Sequence, residues 1–142
     1  MDGINYDICM TQARLYRYVA NDNKDVKEFS DKYLNSDFCR RAMDCSYSRF
    51  QLETELECLD FILPEIGEIS SNYHCDPDIA AWIGFTYRQL AFDTGKSSKE
   101  LCALIPFDIM TGYYPGMHTV DEDMASEIIC KNHNLERENT RE

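Results

Sequence analysis

Hydrophobic residues recur along most of the chain at the spacing of α-helices, and no stretch shows the alternation of paired strands joined by a turn. The most regular run consists of leucines at steps of four, three and four: Leu52, Leu56, Leu59 and Leu63. It predicts an amphipathic helix over residues 50–63 with the leucines on its apolar side, ended by Pro64. Looser stripes predict a helix over residues 4–19, a second helix that Asp22 or Asn23 caps and that ends near residue 35, and a shorter one that starts at residue 36 or 37.

The longest apolar segment lies in the second half of the chain and carries start and stop signals of its own. Asp76 followed by Pro77 is typical of a helix N-terminus, and Gly95 suits the left-handed residue that ends a helix at Thr94. Apolar residues cover most of the circumference of this helix, so we expect it in the middle of the core. Gly84 in its interior predicts that another backbone crosses it closely.

Two capping boxes predict the starts of later helices. Ser97 with Glu100, and Thr119 with Glu122, have the spacing at which the first side chain accepts a hydrogen bond from a backbone amide and the second returns the bond. Each pair therefore predicts a helix that begins directly after its first residue.

These elements together predict an all-α fold. We expect one compact domain over residues 1–142, made of seven or eight short to medium helices in an irregular, orthogonal arrangement. One of them is a short helix over residues 107–113, after which Pro115 is expected to force a turn. The polar C-terminal tail after about residue 131 is expected to fray.

Composition and charge narrow the function classes. The seven cysteines are odd in number and lack paired spacing, which favours neither a disulfide framework nor a zinc site. A net charge of −12 opposes direct binding to nucleic acid and favours a protein partner with a basic surface. The chain has neither the run of about 18–20 apolar residues of a membrane span nor a secretory signal, so we expect a cytoplasmic protein that does not enter a membrane.

Acidic residues cluster on the polar side of the predicted 50–63 helix. Glu53, Glu57 and Asp60 lie about one turn apart, and no Lys or Arg occurs between Arg49 and Arg88. Like charges at this spacing are mildly unfavourable in a helix. Two interpretations stay open: a solvated face of an acidic protein, or a docking surface for a basic partner.

Motifs of catalysis are absent, since the chain has no glycine-rich phosphate loop, HExxH, CxxC or GxSxG. We therefore expect no catalytic residues, no cofactor and no bound metal. Arg88, on an apolar helix, either pairs with a buried carboxylate or reaches a surface to contact a partner. His118 lies just before Thr119 and after the aromatic pair Tyr113 and Tyr114, and it is interpreted as a partly buried histidine or as part of a binding site.

A family resemblance covers about the last third of the chain. The segment resembles small bacterial proteins with the patterns W-x-G-Y-x-Y-R-Y-W, T-G-E-S-S-K-E-I-Y and Y-x-x-x-H-T-x-D-x-x-x-A. The shared residues are Trp82, Gly84, Tyr87, Arg88, Thr94, Gly95, Ser97, Ser98, Lys99, Glu100, Tyr114, His118, Thr119, Asp121 or Asp123, and Ala125. The sequence departs from the patterns at Gln89, Leu90 and Lys96, which puts contacts made by the family's aromatic pair in doubt.

Members of that family resemble the small partners encoded beside ADP-ribosyltransferase-like toxin genes, which implies an antitoxin or immunity role. The first hypothesis is therefore a non-enzymatic antitoxin that binds and blocks a toxin enzyme. Its candidate partner-binding residues are Glu53, Glu57, Asp60, Arg88, Tyr114 and His118. One alternative is a small enzyme or ligand-binding domain in which Arg88, Tyr114 and His118 converge in one pocket. Another is an acidic inhibitor that mimics nucleic acid.

Overall fold

The computed structural model describes residues 1–138, and this part of the chain is helical with no strand, which confirms the predicted all-α class. It contains seven α-helices, a π-helical turn over Cys39–Met43 and a 3-10 turn over Arg49–Leu52. The α-helices are α1 Gly3–Asn21, α2 Val26–Leu34, α3 Glu55–Ile66, α4 Pro77–Thr94, α5 Ser98–Leu104, α6 Phe107–Met117 and α7 Glu122–Asn132. Within the described residues, no helix is long and apolar enough to cross a membrane.

The core is built on the packing of α1 along α4, the most extensive contact between any two elements. Gly84 lies at the point of closest approach, where an added Cβ atom would stand 2.7 Å from the carbonyl oxygen of Gln12 and 2.8 Å from Cγ of Tyr16. The backbone predicted to cross at Gly84 is therefore that of α1. At this crossing point Gln12 Nε2 donates a hydrogen bond to the carbonyl oxygen of Gly84 at 2.9 Å, which links α1 to α4.

The local signals around α4 and α5 act as predicted. Asp76 caps α4 by accepting from the amide of Asp78 at 2.8 Å, and Gly95 adopts a φ of 73° after its last residue. The hydroxyl of Ser97 accepts from the amide of Glu100 at 3.1 Å, and the Glu100 carboxylate accepts from the amide of Ser97 at 2.9 Å. Hydrogen bonds that the Glu100 carboxylate accepts from Ser97, first from its backbone and then from its side chain, lower the pKa of Glu100.

Two predictions for the end of the chain are wrong. Thr119 does not start a helix, because α7 begins at Glu122 and Asp121 occupies its cap position. Pro115 does not end α6, which continues to Met117. A proline removes one N–H from the helix ladder, and water can replace that bond at an exposed helix end such as this one.

The helix predicted over residues 50–63 is divided. The 3-10 turn ends at Leu52, and two extended residues follow, Glu53 and Thr54, the second of which caps α3. The break changes the side of the helix that faces inward, so that the buried residues of α3 are Cys58, Leu59 and Ile62. The other leucines of the run are exposed: Leu52 by 57%, Leu56 by 58% and Leu63 by 39%. The expected end at Pro64 is also wrong, since α3 reaches Ile66.

The segment after α7 turns back onto the core. The amide of Leu135 donates to the carbonyl oxygen of Cys130 at 2.8 Å, and its side chain packs against the core. The amide of Glu138 donates to the carbonyl oxygen of Asp93 at 2.6 Å. Of the tail that was expected to fray, residues 139–142 lie outside the described residues.

The crossing at Gly84 can be tested by filling it. Gly84→Ala is expected to lower the free energy of unfolding by at least about 1–3 kcal/mol, because the new methyl group meets backbone that must move. Gly112→Ala is the matched control, since an added Cβ atom there has no neighbour within 4 Å and alanine favours the helix by up to about 1 kcal/mol. Urea unfolding followed by circular dichroism measures both; equal midpoints for the two variants would contradict the close crossing.

Candidate functional site

The six residues predicted to bind a partner lie in three separate places. Arg88 is in the core, and Tyr114 and His118 line a groove between α1, α4 and α6. The acidic residues Glu53, Glu57 and Asp60 lie on and just before α3.

Arg88 is 1% exposed and donates hydrogen bonds to groups from three other parts of the fold: α1, residues 39–44 and α5. Its Nη1 donates to Oδ1 of Asp44 at 2.8 Å, and its Nη2 donates to Oγ of Ser98 at 2.9 Å. Its Nε and Nη2 both donate to Oε1 of Gln12, at 3.2 Å and 3.0 Å. Arg88 therefore pairs with a carboxylate inside the protein, and its guanidinium does not reach a partner.

Asp44 supplies the negative charge of this network and is 12% exposed. Besides Arg88, its carboxylate accepts from the hydroxyl of Ser98 at 2.6 Å and from the amide of Ser98 at 3.0 Å. Tyr33 completes the network by donating its hydroxyl to Oε1 of Gln12 at 2.7 Å, and burial raises the pKa of Tyr33 well above its ordinary value. Sequence reasoning missed Gln12 and Asp44 because no local motif connects them to Arg88.

The acidic cluster beside α3 is partly neutralised within the chain. Arg49 Nη1 lies 3.0 Å from a carboxylate oxygen of Glu53 and 3.6 Å from one of Glu57. The guanidinium of Arg49 also lies over the ring of Phe50, at 4.3 Å from its centroid. The i,i+4 spacing of Arg49 and Glu53 is the sequence signal that could have predicted this ion pair. Asp60 is exposed one turn further along α3.

An apolar groove lies next to Asp60, between α3, α2 and the C-terminal end of α1. We call it the α1–α3 groove; its volume is about 360 Å³. Its apolar lining consists of Tyr18, Val19, Phe29, Leu56, Leu59, Leu63 and Ile69. Its charged lining residues are Asp22, Lys24, Asp60 and Glu68. Most of the leucine run therefore borders this groove, together with one of the predicted acidic residues.

Tyr114 and His118 do come together, as their spacing on α6 allows. Their rings stack at a centroid distance of 4.2 Å, and Nδ1 of His118 donates to the carbonyl oxygen of Tyr114 at 2.7 Å. Trp82 meets Tyr114 edge to face at 5.9 Å, and the groove has a volume of about 310 Å³. Arg88 does not line it. The single pocket of Arg88, Tyr114 and His118 required by the ligand-binding hypothesis therefore does not form.

Burial makes four of the thiols poor nucleophiles. Burial raises the pKa of Cys9 to about 12, and it raises the pKa values of Cys58, Cys75 and Cys102 to about 11. These thiols stay protonated at neutral pH, whereas a thiol attacks as the thiolate. Among residues 1–138, no three His, Cys, Asp or Glu side chains are grouped as a metal site would require.

Removing the charge of Asp44 tests whether Arg88 has a structural role. Asp44→Asn is expected to lower the free energy of unfolding by about 3–5 kcal/mol, because it leaves the buried Arg88 without its counter-charge. The matched control is Asp37→Asn, which removes a carboxylate that pairs with Arg40 at the surface, where both side chains are more than half exposed. That change should cost less than about 1 kcal/mol. Urea midpoints measure both, and similar small losses would contradict the role of Asp44.

Alkaline pH should destabilise the fold through the buried thiols. The pKa of Cys9 rises from 9.0 to about 12 on folding, so the unfolded chain loses this proton first. Its contribution to stability is fully present below pH 9 and is lost as the pH rises toward 12, by up to about 1.4 kcal/mol per pH unit. Urea midpoints between pH 8 and 11 should fall less steeply for Cys9→Ala than for the wild type; parallel curves would refute this assignment.

Comparisons with known proteins add no relative. A scan against protein-family models found no matching family, and searches of curated proteins and of solved structures found no match. The resemblance therefore rests on the shared motif residues. Several of these residues have structural roles. Gly84 permits the close crossing of α1 and α4, Arg88 pairs with Asp44 inside the core, and Ser97 with Glu100 forms the capping box of α5.

Proposed function

We propose that this chain is a non-enzymatic antitoxin-type protein that neutralises a partner toxin enzyme by binding to it directly. The observation that carries the proposal is the outer surface of α3, where Leu56 and Leu63 are exposed beside the charged Asp60. The family resemblance supplies the expectation that the toxin is similar to ADP-ribosyltransferases. We expect the pair to meet in the cytoplasm.

Charge supports a basic partner. The chain carries a net charge of −12, and Asp60 follows Glu57 by three residues on α3. Complementary charge increases the rate of encounter and suppresses wrong partners more than it adds affinity. A basic cleft that binds a cofactor is the kind of surface that an acidic inhibitor would cover, and covering it would block the enzyme without any chemistry by the inhibitor.

Exposed apolar area supports a stable complex. Leu56 is 58% exposed and Leu63 is 39% exposed. Fully burying a leucine contributes about 1.5–3 kcal/mol relative to leaving it in water. An interface that covers both side chains would gain a large part of this free energy, while the acids around them fix the orientation of the partner.

Co-expression with the protein encoded beside this chain tests the proposal. The neighbouring protein alone should slow growth, and the two together should restore growth and purify as one complex. If the two proteins neither associate nor change each other's effect on growth, the antitoxin proposal fails.

Charge reversal on α3 should weaken that complex. Asp60→Lys is expected to raise the dissociation constant about 10-fold, which corresponds to about 1.4 kcal/mol, because a positive charge then faces the basic partner. Asp7→Lys is the control, since it makes the same change in net charge at an exposed position in the first half of α1. Titration calorimetry at two salt concentrations measures both variants. Equal weakening by the two would show that only the overall charge matters.

A further inference from the structure

The leucines of α3 have the spacing of a buried helix face, and yet two of the three lie largely in solvent. The steps of three and four residues between Leu56, Leu59 and Leu63 are typical of helices that pack against another helix. Of these three leucines only Leu59 is buried, at 7% exposure, whereas Leu56 and Leu63 are 58% and 39% exposed. The packing within the described chain thus leaves this apolar face without a helix against it.

The α1–α3 groove gives the exposed leucines a place to receive such a helix. Leu56 and Leu63 stand seven residues apart along one side of α3, and the groove runs beside them. Its floor includes Val19 and Phe29, which are 5% and 0% exposed and belong to the core. An apolar side chain that enters the groove therefore contacts the core itself and is removed from water.

The charges around the groove select what can enter. Asp22, Asp60 and Glu68 line it, against the single cation Lys24. A second copy of this chain would bring the same acids against them, and each copy carries a net charge of −12. A helix with Lys or Arg beside its apolar face would instead pair with the acids. Charge complementarity thus favours a basic partner helix over self-association.

We propose that the α1–α3 groove receives an amphipathic α-helix of the toxin, with apolar side chains at helical spacing flanked by Lys or Arg. This inference rests on the proposed function for the identity of the partner, but the groove can be tested alone. The partner's apolar side chains would interdigitate with Leu56, Leu59 and Leu63, and its cations would lie near Asp22, Asp60 and Glu68.

The first test uses a synthetic helix in place of the toxin. A fluorescein-labelled peptide with leucines at steps of three and four on a lysine background is titrated with the full chain, and anisotropy is measured. A peptide of the same composition in scrambled order is the control for charge. We expect saturable binding of the ordered peptide, at least about 10-fold tighter than that of the scrambled one. Equal binding of the two peptides would overturn the proposal.

Protein variants locate the binding in the groove. Leu56→Asp and Leu63→Asp should each weaken binding of the ordered peptide at least about 10-fold, because they place a carboxylate in the apolar contact. Leu104→Asp is the matched control on α5, since Leu104 is 47% exposed and does not line the groove. Circular dichroism checks that all three variants remain folded. Equal effects of Leu56→Asp and Leu104→Asp would also overturn the proposal.

The same variants separate this inference from the antitoxin role. If Leu56→Asp protects cells from the toxin as well as the wild type does, the groove proposal is wrong while the antitoxin role stands. If the ordered peptide binds in the groove but the toxin is not neutralised, the antitoxin role is wrong while the groove remains a helix acceptor. Sedimentation equilibrium tests whether a second copy of this chain occupies the groove instead. A wild-type dimer that Leu56→Asp dissociates would assign the groove to self-association and overturn the proposal.

Discussion

The packing of the core depends on the side-chain amide of Gln12, which lies where α1 crosses α4. Its Nε2 donates to the carbonyl oxygen of Gly84, and its Oε1 accepts from both Arg88 and Tyr33. The bond to Gly84 requires α1 and α4 to approach more closely than any side chain at position 84 would allow. The glycine costs about 1 kcal/mol of helix propensity relative to alanine, and the close packing of the two helices offsets it.

The buried charge of Arg88 extends this crossing to the rest of the core. Through Asp44 and Ser98 the guanidinium ties α4 to the segment after the π-helical turn and to the start of α5. A buried cation is tolerated only when its donors are satisfied and a counter-charge is close, and Arg88 has both. These partners occupy the guanidinium inside the fold, so its hydrogen bonds serve the packing of the core.

The parts of the fold that could be predicted from the sequence are those with local causes. Asp76, Gly95 and the capping box of Ser97 with Glu100 act on amides within four residues, so their spacing identifies them. Arg88 bonds to Gln12, which lies 76 positions away in the sequence, and to Asp44, which lies 44 positions away. No local sequence pattern reveals such pairs. The all-α class followed from periodicity, whereas the separation of Arg88 from Tyr114 and His118 depended on tertiary packing.

Hydrophobic periodicity predicts that α3 is a helix, but it does not predict which side of α3 faces the core. The 3-10 turn before it is started by a capping box of Ser48 with Gln51, and the extended residues that follow set the direction of α3. The spacing of the leucines identifies an apolar helix face, but it does not say whether that face meets its own core or another protein. In α3, Cys58, Leu59 and Ile62 take the inner side, so Leu56 and Leu63 lie at the surface although their spacing is typical of burial. An apolar face with helical spacing that its own fold leaves uncovered is the surface that the proposed partner helix would bury.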